Sequence, residues 1–299
     1  MNAPAITTPA DNGSQADTGD TMRALRNAQS GDLLYVTTSN RKQLYALTYP
    51  QLQLVDTIGG FAGDPFLHGL CSGPAGDVYV TDDGPKSLYL YVFKHGAKTP
   101  SRVLSAPGGF QACSVDPTTG DVAAIAIENR PAVAIYSKGK GSPKLYDANH
   151  GYSGSAYSSN GNLYLISFDG CLTLFVKGTF TCVKLRRSAR IPHAAGLQWH
   201  NGVLVIAGRA HHNQQTIYTV KLTGATTGRL VSTMALDRAK DEGPRSGLPA
   251  LLAGDELMAP SHAKGLLSFW LYPKGGEPLK SVTLKVDGFV SGLALSHRS

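Results

Sequence analysis

Long apolar runs, paired-cysteine metal motifs and the short catalytic signatures are all missing from this chain, and each absence removes a class of explanation. No apolar stretch among its 299 residues approaches the ~18 needed to cross a bilayer as a helix. Four cysteines occur without a Cys-x-x-Cys, which excludes a zinc ribbon or a thioredoxin motif. His-Glu-x-x-His, Gly-x-Ser-x-Gly, Gly-x-x-x-x-Gly-Lys-Ser/Thr and Gly-x-Gly-x-x-Gly are absent, so the commonest zinc-protease, hydrolase, nucleotide and dinucleotide sites have no sequence support. Charged residues are few, at 16%. The start, Met1-Asn2-Ala3-Pro4-Ala5, shows no basic segment followed by an apolar one and does not read as a signal peptide. The expectation is a cytoplasmic chain, or an extracytoplasmic one whose leader has been removed.

What is present is glycine, proline and a basic balance. Thirty-four glycines and seventeen prolines suit a chain full of tight turns, and 42% apolar residues suffice for a core. The net charge of +7 permits attraction to anionic partners. Its densest run, Lys184-Leu185-Arg186-Arg187-Ser188-Ala189-Arg190, has no interleaved aromatics for base stacking. It reads as a charged edge strand of the fourth repeat unit that blocks sheet-to-sheet pairing. A nucleic-acid partner is not expected.

One pattern recurs: Gly31-Asp32-Leu33-Leu34-Tyr35-Val36-Thr37 returns as Gly76-Asp77-Val78-Tyr79-Val80-Thr81-Asp82. Weaker copies start at Gly120, Gly161, Gly202 and Gly254, and from Gly31 onward the five steps between the six glycines are 45, 44, 41, 41 and 52 residues. A period of ~40–50 residues built from short strands marks a β-propeller. Each unit reads as four strands, A to D from the axis outward, with the Gly-x-Leu-Tyr-Val element as strand B. Segments such as Leu88-Tyr89-Leu90-Tyr91-Val92-Phe93 are apolar on both faces, as sheets sandwiched between sheets must be. The chain enters at a B strand and leaves with an A-like segment, Val290-Ser291-Gly292-Leu293-Ala294-Leu295, which is expected to complete the first blade and close the ring. The fold expected is therefore all-β, a six-bladed β-propeller over residues 31–299. Residues 1–30, poor in anything to bury, form a tail. Cys71 and Cys113 fall on A strands of neighbouring blades but one step out of register, and are expected as free buried thiols. Cys171 and Cys182 flank a hairpin, and a disulfide between them would imply an oxidising compartment.

Leu34-Tyr35-Val36-Thr37-Thr38-Ser39-Asn40 resembles the repeat of YVTN-type propellers, and Gly76 to Asp82 followed by Leu88-Tyr89-Leu90-Tyr91 resembles an NHL repeat. The Trp-Asp dipeptide of WD40 repeats and the double glycine of kelch repeats are missing. The resemblance covers residues 31 to 298 as a repeat pattern. It implies a superfamily that includes sugar-acid lactonases, streptogramin lyases and non-enzymatic binding modules.

In such a ring the connections before strand A and after strand B converge on one mouth of the central channel. Aligning the six units places Ser291, His68, Gln111, Ser153, Ala195 and Ser246 around it. Phe66, His150, Tyr152, His193 and Arg245 form the next layer, and the B strands end in Asp82, Asp83, Glu128, Asp169, Arg209 and His262. Gly151-Tyr152-Ser153-Gly154 grazes the nucleophile pattern, but at a strand start rather than a strand-to-helix elbow. His68 and Asp82 end adjacent strands of one blade, and a carboxylate beside an imidazole suits a general acid or base. The layout around Pro65-x-x-His68-Gly69-Leu70 is similar to the His/acid pair of streptogramin lyases. The inner ring carries no carboxylate, so no cofactor is expected, although Asp82, Glu128 and Asp169 leave room for a Ca or Mg ion. The function expected is a non-catalytic binding or scaffold module, monomeric, with a protein or small-molecule ligand at Gln111, Tyr152, Ser153, His193, Arg245, Ser246 and Ser291. The alternative is a metal-assisted lactonase or hydrolase, or a lyase using His68 and Asp82.

Overall fold

A computed structural model describes residues 31–298 apart from 40, 63–66, 84–87, 108, 110–111, 127–132, 149–150, 187–190, 211–213, 238–249 and 262. The tail expected over residues 1–30 lies outside the described residues.

Six antiparallel sheets make the ring. Counting outward from the axis, blade 2 is Leu67–Ser72, Val78–Asp83, Leu88–Phe93 and Arg102–Ala106. Blade 3 is Ala112–Val115, Val122–Ile125, Val133–Tyr136 and Lys144–Tyr146; blade 4 is Gly154–Tyr157, Leu163–Ile166, Leu172–Val176 and Thr179–Cys182. Blade 5 begins with Gly196–His200, Val203–Arg209, Gln215–Gly224 and Thr227–Ala235, and blade 6 is Leu251–Ala253, Glu256–Pro260, Leu266–Leu271 and Lys280–Thr283. The inner strands of all neighbouring blades touch, from blade 1 around to blade 6 and back.

Blade 1 is made from both ends of the chain. Val290–Ser296 pairs antiparallel with Leu33–Thr38, Val36 opposite Leu293, and Arg41–Thr48 and Leu54–Ile58 complete the sheet. This blade has no A-to-B turn, because the termini interrupt it. The buried carboxylate of Asp32 does the turn's work by accepting from the Arg298 amide at 3.2 Å and lying 2.9 Å from His297 Nδ1.

Strand alternation explains the core. In blade 2, Val78 and Val80 face blade 1 while Tyr79 faces blade 3; in the next strand Tyr91 and Phe93 face blade 1 while Leu90 and Val92 face blade 3. A period of two sends successive side chains to opposite faces, and both faces are covered. The result is six hydrophobic clusters, one at each seam between neighbouring blades. Each fully buried leucine or phenylalanine contributes about 1.5–3 kcal/mol of transfer free energy, so no single seam dominates the others.

One expectation is corrected, and one pairing left open by the sequence is resolved. Cys71 and Cys113 form a disulfide that joins the inner strands of blades 2 and 3, with Cα atoms 5.6 Å apart. The reason is a bulge. Leu67 and Leu70 oppose Asp82 and Val80, so three steps on the inner strand match two on its neighbour, and the extra residue brings Cys71 into step with Cys113. Cys171 and Cys182 are free thiols with their sulfurs 3.8 Å apart.

The basic run is also displaced. Lys184–Arg186 leaves blade 4 and pairs in parallel with Thr227, Gly228 and Arg229, becoming the fifth, outermost strand of blade 5. Val183, buried in the seam between blades 4 and 5, anchors the crossover. The two outer strands of blade 5 are long, ten and nine residues, and their overhanging edge is what Lys184–Arg186 covers. A charged edge strand is present, but on the next blade. Arg187 to Arg190 lie outside the described residues.

Candidate functional site

Strand A runs away from the mouth and strand B back towards it, so the D-to-A and B-to-C connections share one rim and the A-to-B and C-to-D turns share the other. Gln111, Arg245, Ser246 and the side chain of His68 lie outside the described residues, as do Phe66, His150, Glu128, His262 and the side chain of Asp83. Asp82, Tyr152, Ser153, His193 and Ser291 are described.

Ser291 and His68 occupy equivalent bulges. In blade 1, Thr37 opposes Gly292 and Thr38 opposes Val290, which leaves Ser291 as the extra residue. Its hydroxyl lies 3.2 Å from Thr37 Oγ1 and 3.4 Å from the Leu67 carbonyl of blade 2. In blade 2 the Thr81 hydroxyl accepts from the Gly69 amide at 2.7 Å and so holds the bulge beside His68. A bulge re-aims the side chain it carries, and no composition signal reveals it.

Asp82 is fully buried opposite Leu67, and the Tyr91 hydroxyl bonds to it. That hydroxyl also accepts from the Ala62 amide at 2.9 Å, so the chain Asp82–Tyr91–Ala62 ties the B strand to the segment entering the blade. Burial, and the Asp82 charge to a lesser degree, push the Tyr91 phenol above its ordinary range.

Tyr152 is fully buried, stacked on Phe180 at 6.0 Å in the seam between blades 3 and 4. Burial pushes its phenol up to about 12, with Thr173 as its hydrogen-bond partner. Its side chain belongs to the core. Ser153, the next residue, donates to the Ala194 carbonyl at 2.6 Å and so links blade 4 to the connection entering blade 5.

The described part of that connection, Ile191 to Ala195, is closely constrained. The Arg209 amide donates to the Pro192 carbonyl at 3.0 Å, and the Ala195 amide to Ala207 at 2.9 Å. Gly170, with φ of +88°, sits against the Ile191 backbone where a Cβ would overlap the carbonyl oxygen. His193 is held between these anchors, exposed and at φ 50°, a left-handed conformation costing roughly 1–2 kcal/mol for an L-residue. Its ring lies edge-on to Phe168 at 5.0 Å, and Phe168 is itself 49% exposed. Sequence reasoning placed His193 at the mouth but missed Phe168; the signal available was an aromatic residue two positions after a B strand and two before a turn glycine. Asp169 follows and accepts from the Ser167 hydroxyl. Among the described residues, no three or more His, Cys, Asp or Glu side chains gather as a metal shell.

No protein-family model matches the chain, and no curated protein matches it in sequence. A solved structure of a protein of unknown function from Bacteroides caccae is similar in fold, with a TM-score of 0.63 and 12% identity over 90% of this chain and all of the other. At that identity the likeness is one of architecture. In all, 868 solved chains match it in structure, and a fold so widely used names no chemistry by itself.

Proposed function

We propose that this chain is a non-catalytic binding propeller of the NHL/YVTN kind, whose ligand docks at the channel mouth on the His193–Phe168 pair. One observation carries this reading. His193 keeps a strained backbone and an exposed ring on a segment whose neighbours Pro192, Ala194 and Ala195 are each hydrogen-bonded to an adjoining strand or blade. Strain of this kind persists where the surrounding structure enforces it, and it clusters at ligand contacts. An imidazole edge beside an exposed aromatic face suits a planar or apolar group, such as a sugar ring or an aromatic side chain.

The described polar residues of the mouth favour a rigid platform over reacting groups. Ser153 and Ser291 bridge blades through main-chain carbonyls, and Asp82 is engaged by Tyr91. The Cys71–Cys113 disulfide fits an oxidising, extracytoplasmic setting. The test is two-sided. Small lactones should show no turnover with or without added Ca or Mg, and a glycan and aromatic-peptide array should yield a ligand. A turnover abolished by His68→Ala or Asp82→Asn in a folded protein would instead establish the enzymatic alternative.

A further inference from the structure

The opposite rim holds a second site. A cleft of about 290 Å³ opens between the turns of blades 2 and 3, lined by Lys94, Arg102, Lys138 and Lys140 with one carboxylate, Asp77. Ligand cavities begin at about 300 Å³, so the space suits a small head group and not a polymer.

The charges do not cancel. Lys94 Nζ lies 2.8 and 2.9 Å from the two oxygens of Asp77, which is buried. Arg102 bonds to the Tyr79 hydroxyl, and its buried Nε has no hydrogen-bond partner. Lys138 and Lys140 form no ion pair among the described residues. Three of the four cations lining the cleft, Arg102, Lys138 and Lys140, therefore have no ion-pair partner among the described residues, and cations gathered in this way are stabilised by an anion between them.

The walls are also built for the purpose. Lys138 stands at φ 50°, in the left-handed region, and its amide donates to Asp121 Oδ1 at 2.8 Å. Gly139 follows, where a Cβ would come within 2.8 Å of the Tyr79 hydroxyl, so only glycine lets that phenol stand in the wall beside Arg102. Tyr79 pairs across the sheet with Cys71, and the Cys71–Cys113 disulfide clamps the two blades that form the cleft.

We infer that this cleft binds a phosphate group, free or as the monoester of a small molecule. A phosphate dianion brings three strong acceptor oxygens for the Arg102, Lys138 and Lys140 donors, which reach it from two blades. A carboxylate offers two acceptor oxygens to three donors and one negative charge to three cations, where the phosphate offers three oxygens and up to two charges. The site is independent of the channel mouth, and its success or failure leaves the His193–Phe168 reading where it was.

Calorimetry in a phosphate-free, low-salt buffer tests it, with inorganic phosphate, glycerol 3-phosphate, glycerol and sulfate as probes. One saturable site for phosphate or glycerol 3-phosphate at millimolar concentration or below is expected, with glycerol silent. Tighter binding of the ester identifies a small-molecule ligand, and equal binding identifies the free ion. Arg102→Gln and Lys138→Gln should each weaken binding about tenfold. Because Arg102 is half-buried, the exposed double variant Lys138→Gln/Lys140→Gln guards against misfolding and should weaken binding at least as much. The proposal is overturned if neither phosphate probe saturates a site, if sulfate binds better than both, or if the double variant binds as the parent does.

Discussion

Among the described residues, the two rims of this ring are fastened in different ways. At the mouth, side-chain oxygens reach across seams to main-chain carbonyls, as Ser153 does to Ala194 and Ser291 to Leu67, and the exposed group that results is an aromatic–imidazole pair. At the turn rim, carboxylates at the start of B strands do the fastening: Asp32 with His297 and Arg298, Asp77 with Lys94, Asp121 with the Lys138 amide. The seryl contacts at the mouth are neutral and insensitive to salt, though Lys264 and Asp287 also pair there at 2.8 Å; the turn-rim contacts rest on carboxylates, and their ion pairs are screened by salt.

The comparison can be broken or sharpened in several ways. The largest expected effect concerns the cysteines. Replacing Cys71 and Cys113 by Ser opens a loop of 42 residues and should cost about 4 kcal/mol in denaturant unfolding on the chain-entropy account. Replacing Cys171 and Cys182 should stay within about 0.5 kcal/mol. Equal losses from the two pairs would mean that the seam between blades 2 and 3 is not specially fastened.

Next comes Gly170→Ala. A methyl there meets the Ile191 backbone in a left-handed conformation, and a loss of about 3 kcal/mol is expected. Hydrogen exchange should show the Ile191–Ala195 connection loosened while the turn rim is unchanged. Ser153→Ala removes one cross-blade donor and should cost about 1 kcal/mol.

Acid should separate the rims. Burial alone would raise the Asp116 carboxyl, but donors from Thr118 and Thr119 outweigh it and hold the group below the usual carboxylate range. A depressed carboxylate contributes stability above its unfolded value near 3.9, and loses it as pH falls through the folded one. His200 is lowered by burial, with Asp255 opposing. Its neutral form is favoured in the fold, so its contribution is complete above the unfolded value near 6.5 and declines as pH falls below it. Both groups sit at the turn rim, and exchange protection should fall there first between neutral pH and pH about 3. His200→Gln should remove the part of that decline that begins near pH 6.5.

The smallest effect is also the sharpest. His193→Gly relieves a left-handed backbone, and should leave stability unchanged or raise it by about 0.5 kcal/mol. If the strain serves binding, that gain comes with loss of the mouth ligand. A clear loss of stability would show that the ring of His193 holds the rim together.

The sequence carried the ring itself. All six B strands lie where the Gly-x-Leu-Tyr-Val copies put them, because alternation under two-sided burial leaves a strong local pattern. The closing pair Val290–Ser296 with Leu33–Thr38 followed from the unmatched ends. What escaped was non-local or one residue deep. The bulge at His68 and Gly69 moves Cys71 by a single step, and nothing in the residue types marks it. Lys184–Arg186 joined the neighbouring sheet because of the overhang of strands thirty or more residues later. Tyr152 matched the mouth by alignment, yet its side chain turns into the seam, since a position is legible in a repeat and a side-chain direction at a strand entrance is not. The turn-rim cations are scattered over Lys94, Arg102, Lys138 and Lys140, and only the packing of two blades assembles them.

The most direct measurement is a hydrogen-exchange footprint of the ligand found on the glycan and aromatic-peptide array, with the parent protein and with Phe168→Ala. Protection confined to residues 167–170 and 191–195, and binding lost in Phe168→Ala at unchanged stability, is the predicted result. A footprint elsewhere on the ring, or full binding by the alanine variant, would contradict it.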